Sequence, residues 1–95
     1  MKKGYWIAIV DVTDPEKYKR YIAANAEAFA RYGAKFIVRG GPYQSPEGPT
    51  GTRHAVIEFE SYEKALACYN SPEYQEALKL RRQSSTGHLA IVEGA

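Results

Sequence analysis

From Tyr5 to Val12 the chain reads Tyr-Trp-Ile-Ala-Ile-Val-Asp-Val and then meets Thr13-Asp14-Pro15-Glu16. Aromatic and β-branched residues favour a pleated, half-buried strand, and a proline behind an aspartate opens a helix. Successive strand side chains point to opposite faces, so Trp6, Ala8, Val10 and Val12 share one side while Tyr5, Ile7, Ile9 and Asp11 share the other. The first side is wholly apolar and the second ends in a carboxylate. A strand of this kind needs helices against one face and a different cover for the other.

The rest of the chain repeats the arrangement. Two helix starts compete after the first strand: Thr13 with Glu16 as a capping box, or Asp14 as N-cap with Pro15 in the first helical position. Tyr18, Ile22, Ala26 and Phe29, with Tyr21 and Ala30 beside them, recur at helical spacing, and Gly33 supplies a C-terminal cap. The next strand, Ala34 to Gly40, places Phe36 and Val38 on one face and Lys35, Ile37 and Arg39 on the other. Gly40-Gly41-Pro42 stops it. The segment from Pro42 to Thr52, rich in glycine and proline, reads as a long exposed hairpin loop.

The third strand, Arg53 to Glu60, carries Ala55, Ile57 and Phe59 on one side and His54, Val56 and Glu58 on the other. Ser61 caps a second helix that packs through Ala65, Leu66 and Tyr69, and Asn70-Ser71-Pro72 breaks it before Ala77, Leu78 and Leu80 continue the stripe to Arg81-Arg82. Gly87 precedes a last strand, His88 to Glu93. The order βαββαβ predicts an α+β, ferredoxin-like domain over residues 1–95: a four-stranded antiparallel sheet with two helices on one face.

The helix-facing side then collects Trp6, Ala8, Val10, Val12, Phe36, Val38, Ala55, Ile57, Phe59, Leu89 and Ile91 as the core. The opposite face collects Tyr5, Ile7, Ile9, Asp11, Lys35, Ile37, Arg39, His54, Val56, Glu58, His88, Ala90 and Val92. It is too apolar for bare solvent and too charged for a second core. A homodimer in which two such faces meet is the economical cover.

Composition narrows the functional classes. With 95 residues the chain supports a single core. No apolar run approaches the ~20 residues that span a bilayer, and the basic start lacks a cleavage site, so a soluble cytoplasmic protein is expected. The lone Cys68 has no disulfide partner and reads as a small apolar filler. A net charge of +2, with 13 basic residues interspersed among 11 acidic ones, lacks the clustered footprint of a nucleic-acid binder. RNA-recognition domains share the βαββαβ order but stack bases on aromatic rings of the third strand. Here those positions hold His54 and Val56, with Glu58 on the same face to repel phosphate.

Three groups of residues can carry chemistry. Asp11, Arg39, His54, Glu58 and His88 fall on the open face, where Arg39 can grip an anion and a histidine or Glu58 can move protons; the plainer reading is cross-strand ion pairing and dimer hydrogen bonds. His54, His88 and Glu58 form a conceivable metal set, and one histidine an axial haem ligand, but they lie on different strands without recognised spacing, and no cofactor or metal is expected. Tyr18, Tyr21 and Tyr74 can instead lend hydroxyls to a pocket under the helices. Ser71-Pro72-Glu73-Tyr74 is a helix restart, and Gly40-Gly41-Pro42 is turn chemistry without the lysine of a phosphate loop.

The runs Val12-Thr13-Asp14-Pro15 with Tyr18 and Tyr21, Val38-Arg39-Gly40-Gly41, Val56-Ile57-Glu58-Phe59, Tyr69-Asn70-Ser71-Pro72-Glu73-Tyr74 with Arg81, and Val92-Glu93-Gly94 together resemble the family catalogued as domain of unknown function 1330. The resemblance spans nearly the whole chain and implies membership of the dimeric α+β barrel superfamily, a homodimer whose two sheets form a barrel. That superfamily includes cofactor-free monooxygenases, muconolactone isomerase-like enzymes and haem enzymes, several with ligands in a pocket beside the sheet. No catalytic residue carries over, because none of their motifs is matched. The leading expectation is a dimer that binds a small anionic or aromatic ligand in a cavity edged by the polar residues of the open face. A cofactor-independent isomerase or monooxygenase and a non-catalytic interaction module are the alternatives.

Overall fold

The chain is described here from a computed structural model covering residues 2–95. Strand β1 (Gly4–Val12) leads into helix α1 (Pro15–Tyr32), followed by β2 (Lys35–Arg39), β3 (Arg53–Phe59), α2 (Tyr62–Tyr69), α3 (Pro72–Ser84) and β4 (Ser85–Glu93). The four strands form one antiparallel sheet in the order β2-β3-β1-β4, the ferredoxin-like arrangement. Local chemistry sets the helix ends. Asp14 is the N-cap of α1, its Oδ1 accepting from the Lys17 amide at 3.2 Å, and Pro15 follows in the first turn. Gly33 closes α1 in the left-handed region at φ 68°, a conformation open to a residue without Cβ. Ser61 caps α2. Ser71, with Pro72 behind it, caps α3, so the second helical stretch is two helices.

The sequence placed Gly87 ahead of the last strand, but α3 runs straight into β4 at Ser85 and Gly87 lies inside the strand. The Ser84 carbonyl accepts from the amides of Thr13 and Asp14, at 2.8 and 3.1 Å, which pins the end of α3 to the turn after β1 and leaves no room for a loop. A Cβ at position 87 would collide with the carbonyl oxygen of Ile9, so glycine here permits a close approach of β1 and β4.

Trp6 organises the packed end of the helix side. It is fully buried, its indole N–H donates to the Ala65 carbonyl at 2.9 Å, and its ring meets Phe29, Phe59, Tyr69 and Tyr74 at centroid separations of 4.8 to 5.8 Å. Such edge-on and tilted contacts add to the burial of apolar area. Helix α1 leans chiefly on α3 and stands off from the strands beneath it. Its buried stripe is therefore Tyr21, Asn25, Ala28 and Phe29, rotated from the expected one, and Ile22 is 44% exposed.

The second strand also departs from plain alternation. Phe36 pairs with Ile57, yet Val38 pairs with Val56 and Arg39 with Ala55, so Ile37 is the additional residue of a β-bulge. One inserted residue inverts the parity of everything after it. Val38, expected in the core, lies level with the open-face residue Val56 and is 40% exposed, while Arg39, expected on the open face, lies level with the helix-side residue Ala55.

Replacing Trp6 with alanine should lower the unfolding free energy by about 3–5 kcal/mol, the usual cost of a buried tryptophan; urea denaturation followed by circular dichroism checks it. The Cys68 thiol is buried between α2 and α1, and burial pushes its pKa up to about 12 from 9.0. The thiol should resist alkylation in the folded protein and react after denaturation. The unfolded chain loses this proton first, so its contribution to stability is intact below pH 9 and lost as pH rises from 9 to about 12.

Candidate functional site

On the helix side, the strands opposite the Trp6 cluster carry small residues. Ala8 and Ala55 are a cross-strand pair in the floor, and Ala26 and Ala30 stand above them on α1. Because α1 keeps its distance, these side chains leave a cavity of about 430 Å³ between α1 and the sheet, within the range that holds small organic ligands. Strand register orders its floor. Trp6, Ile57 and Phe36 form an aromatic and aliphatic row; Ala8, Ala55 and Arg39 form the next; Val10 and Arg53 form the last. Tyr18 and Tyr21 of α1, Arg81 of α3 and Leu89 complete the walls, with Ile22, Ala26 and Ala30 at the exposed mouth.

Three arginines thus meet one cavity. The Arg39 guanidinium lies 3.8 Å from the centroid of the Phe36 ring, and that of Arg53 lies 5.5 Å from the Tyr18 ring. No carboxylate pairs with Arg39, Arg53 or Arg81 within 4.0 Å among the described residues, and the cavity lining holds none. The Arg53 Nε–H is buried without a hydrogen-bond partner. Behind Tyr21, its hydroxyl shares a 2.9 Å hydrogen bond with that of fully buried Tyr74. Burial pushes both phenols up. For Tyr21 the hydrogen bonds to Tyr74 and Asn25 and the charge of Arg81 oppose the rise; for Tyr74 the neighbouring Tyr21 reinforces it and Arg81 opposes it. Both hydroxyls stay protonated at neutral pH, and one donates to the other.

The open face does not gather its predicted residues. Glu58 lies opposite Tyr5, whose hydroxyl donates to Glu58 Oε2 at 3.1 Å; this bond is the main reason the Tyr5 phenol is pushed up. Asp11 lies opposite Thr86, roughly 20 Å along β1 from Tyr5 at about 3.4 Å per residue. His54 and His88 flank Ile9, about 10 Å apart across two strand spacings. The His54 Nε2 is 2.8 Å from the Thr50 carbonyl, under the Tyr43 ring, so it anchors the 42–52 loop. Among the described residues no three of His, Cys, Asp and Glu converge as a metal site, so His54, His88 and Glu58 do not form one. The face does leave Ile7, Ile37, Val38 and Val92 each between 39% and 48% exposed.

Of the eight predicted site residues, Arg39, Tyr18 and Tyr21 line the helix-side cavity and Tyr74 backs it, whereas Asp11, His54, Glu58 and His88 remain across the sheet. The cavity's other two arginines were missed. Arg53 has the strand parity of Ala55, Ile57 and Phe59, which marked it as a cation on the core side. Arg81 read as a helix-end charge, and nothing in its spacing pointed inward.

Solved structures share this fold. A protein of unknown function from Rhodopseudomonas palustris superposes with a TM-score of 0.81 at 18% identity, over 99% of this chain and 83% of that one. SnoaB, a cofactor-independent oxygenase from Streptomyces nogalater, gives 0.66 at 13% identity, over 100% of this chain and 95% of its own. A dimeric ferredoxin-like protein of unknown function from Thermobifida fusca gives 0.62 at 16% identity, over 99% and 91%. Among curated proteins none matches. The model of the family called domain of unknown function 1330 matches residues 3–95, and the chain belongs to that family.

Proposed function

We propose that this protein is a small-ligand-binding homodimer that holds its ligand between α1 and the sheet and pairs with a second copy through the open sheet face. The observation that carries the ligand site is the cavity of about 430 Å³, walled by apolar side chains with Arg39, Arg53 and Arg81 among them. This moves the expected pocket from the open face to the helix side. Dimerisation is supported by the exposed Ile7, Ile37, Val38 and Val92 and by the dimeric state of the Thermobifida relative of the same fold.

A cofactor-independent isomerase or monooxygenase is the second reading, favoured by the Streptomyces neighbour's oxygenase activity. Binding is preferred because the cavity lining offers no carboxylate, imidazole or thiol to move a proton, and burial keeps the Tyr21 phenol protonated. Glu58 and the two histidines, the bases a catalytic reading would use, lie on the opposite face.

Filling the floor with Ala55→Leu should weaken binding of the neutral dye N-phenyl-1-naphthylamine at least ten-fold in a fluorescence titration, with the dimer intact; unchanged binding would place the dye outside the cavity. Ile7→Glu, in the middle of the open face, should give folded monomers by light scattering at micromolar concentration. A dimer that persists through this change uses another surface.

A further inference from the structure

We propose that the cavity between α1 and the sheet takes a small monocarboxylate with a flat or short apolar body, its carboxylate on Arg53 and its body over Ala8 and Ala55. The inference deepens the ligand-binding reading above and rests on it.

Two independent observations carry it. The first is the order of the floor: Phe36 under the Arg39 guanidinium at one end, a pair of alanines in the middle, and Arg53 at the far end with Tyr18 over it. The alanine row lies about 7 Å along the strand from Arg53, which gives an apolar body room beside a charged end. The second is the state of the charges. Arg39, Arg53 and Arg81 all reach the cavity, and no carboxylate within 4.0 Å pairs with them among the described residues. A guanidinium drawn partly out of water without a counter-charge is costly, and an anion arriving in the same space recovers that cost.

Arg53 is the strongest candidate for the grip because its Nε–H is buried and unpartnered. Nε–H and the neighbouring Nη–H form a flat two-pronged donor that matches the two oxygens of a carboxylate. The phenols of Tyr18 and Tyr21 stand at the same end and can donate to a remaining lone pair.

Trp6 is the sole tryptophan and lines the cavity, so its fluorescence reports occupancy. Calorimetric titration should show 3-phenylpropionate binding at least ten-fold tighter than its neutral isostere 3-phenylpropanamide, with a change in Trp6 emission. Arg53→Gln should abolish that preference while leaving the amide's affinity unchanged, and Arg53→Lys should restore only part of it. Equal affinity for acid and amide in the wild-type protein would overturn the assignment of charge yet leave the cavity reading standing. Failure of both to bind would overturn both. Tighter binding of phenyl phosphate than of the acid, or acid binding that leaves Trp6 emission unmoved, would also overturn the proposal. The wild-type comparison decides even if the Arg53 variants do not fold.

Discussion

The indole of Trp6, fixed by its hydrogen bond to the Ala65 carbonyl and enclosed by four aromatic rings, sets where the helices stand on the sheet. A buried tryptophan needs a partner for its N–H, and the nearest one is the backbone of α2, so α2 is drawn against β1. Helix α3 follows through Tyr74, and α1 follows α3 through Tyr21. The strands under α1 receive no comparable filler. Ala8 and Ala55 cannot span the roughly 8–10 Å that separates a helix axis from its packing partner, so the gap remains. Cavity and core are two consequences of one uneven distribution of side-chain volume.

The same sheet divides charge between its faces. The bulge at Ile37 sends Arg39 to the helix side, and strand parity sends Arg53 there, while the carboxylates of Asp11 and Glu58 stay on the other surface. The sheet thus holds these two arginines on one side and these two carboxylates on the other. Had β2 run without the insertion, Arg39 would stand on the open face with Glu58, and the helix side would have one cation fewer. The open face keeps a band of aliphatic side chains across three strands, Val56, Ile7 and Ala90, with Val38 joining at the edge strand. That band suits a second copy of itself more than a solute.

Much of the fold was legible because it is written locally. Asp14-Pro15, Ser61 and Ser71-Pro72 place three helix starts through side-chain caps a few residues long, and alternation identified all four strands. The site was legible in part. Tyr18 and Tyr21 line the cavity and Tyr74 stands behind Tyr21, positions that their spacing on two helices indicates; what their hydroxyls bind is a separate matter. Arg39 was assigned the wrong face because a bulge depends on pairing with a distant strand, and no glycine or proline marks Ile37. Gly87 reads as a boundary in sequence because the reason for it, the Ile9 carbonyl where a Cβ would sit, is a tertiary contact. The cavity was hidden in plain composition: alanines at core-facing positions were counted as core, although their volume leaves the space between sheet and helix unfilled.

The most direct test of this division of labour between the two faces is a crystal structure of the protein grown with 3-phenylpropionate. The account predicts density for the acid between α1 and the sheet, its carboxylate against Arg53, and two chains meeting through Ile7 and Val56. Density for the acid on the open face beside His54 and Glu58, with α1 collapsed onto Ala8 and Ala55, would contradict it.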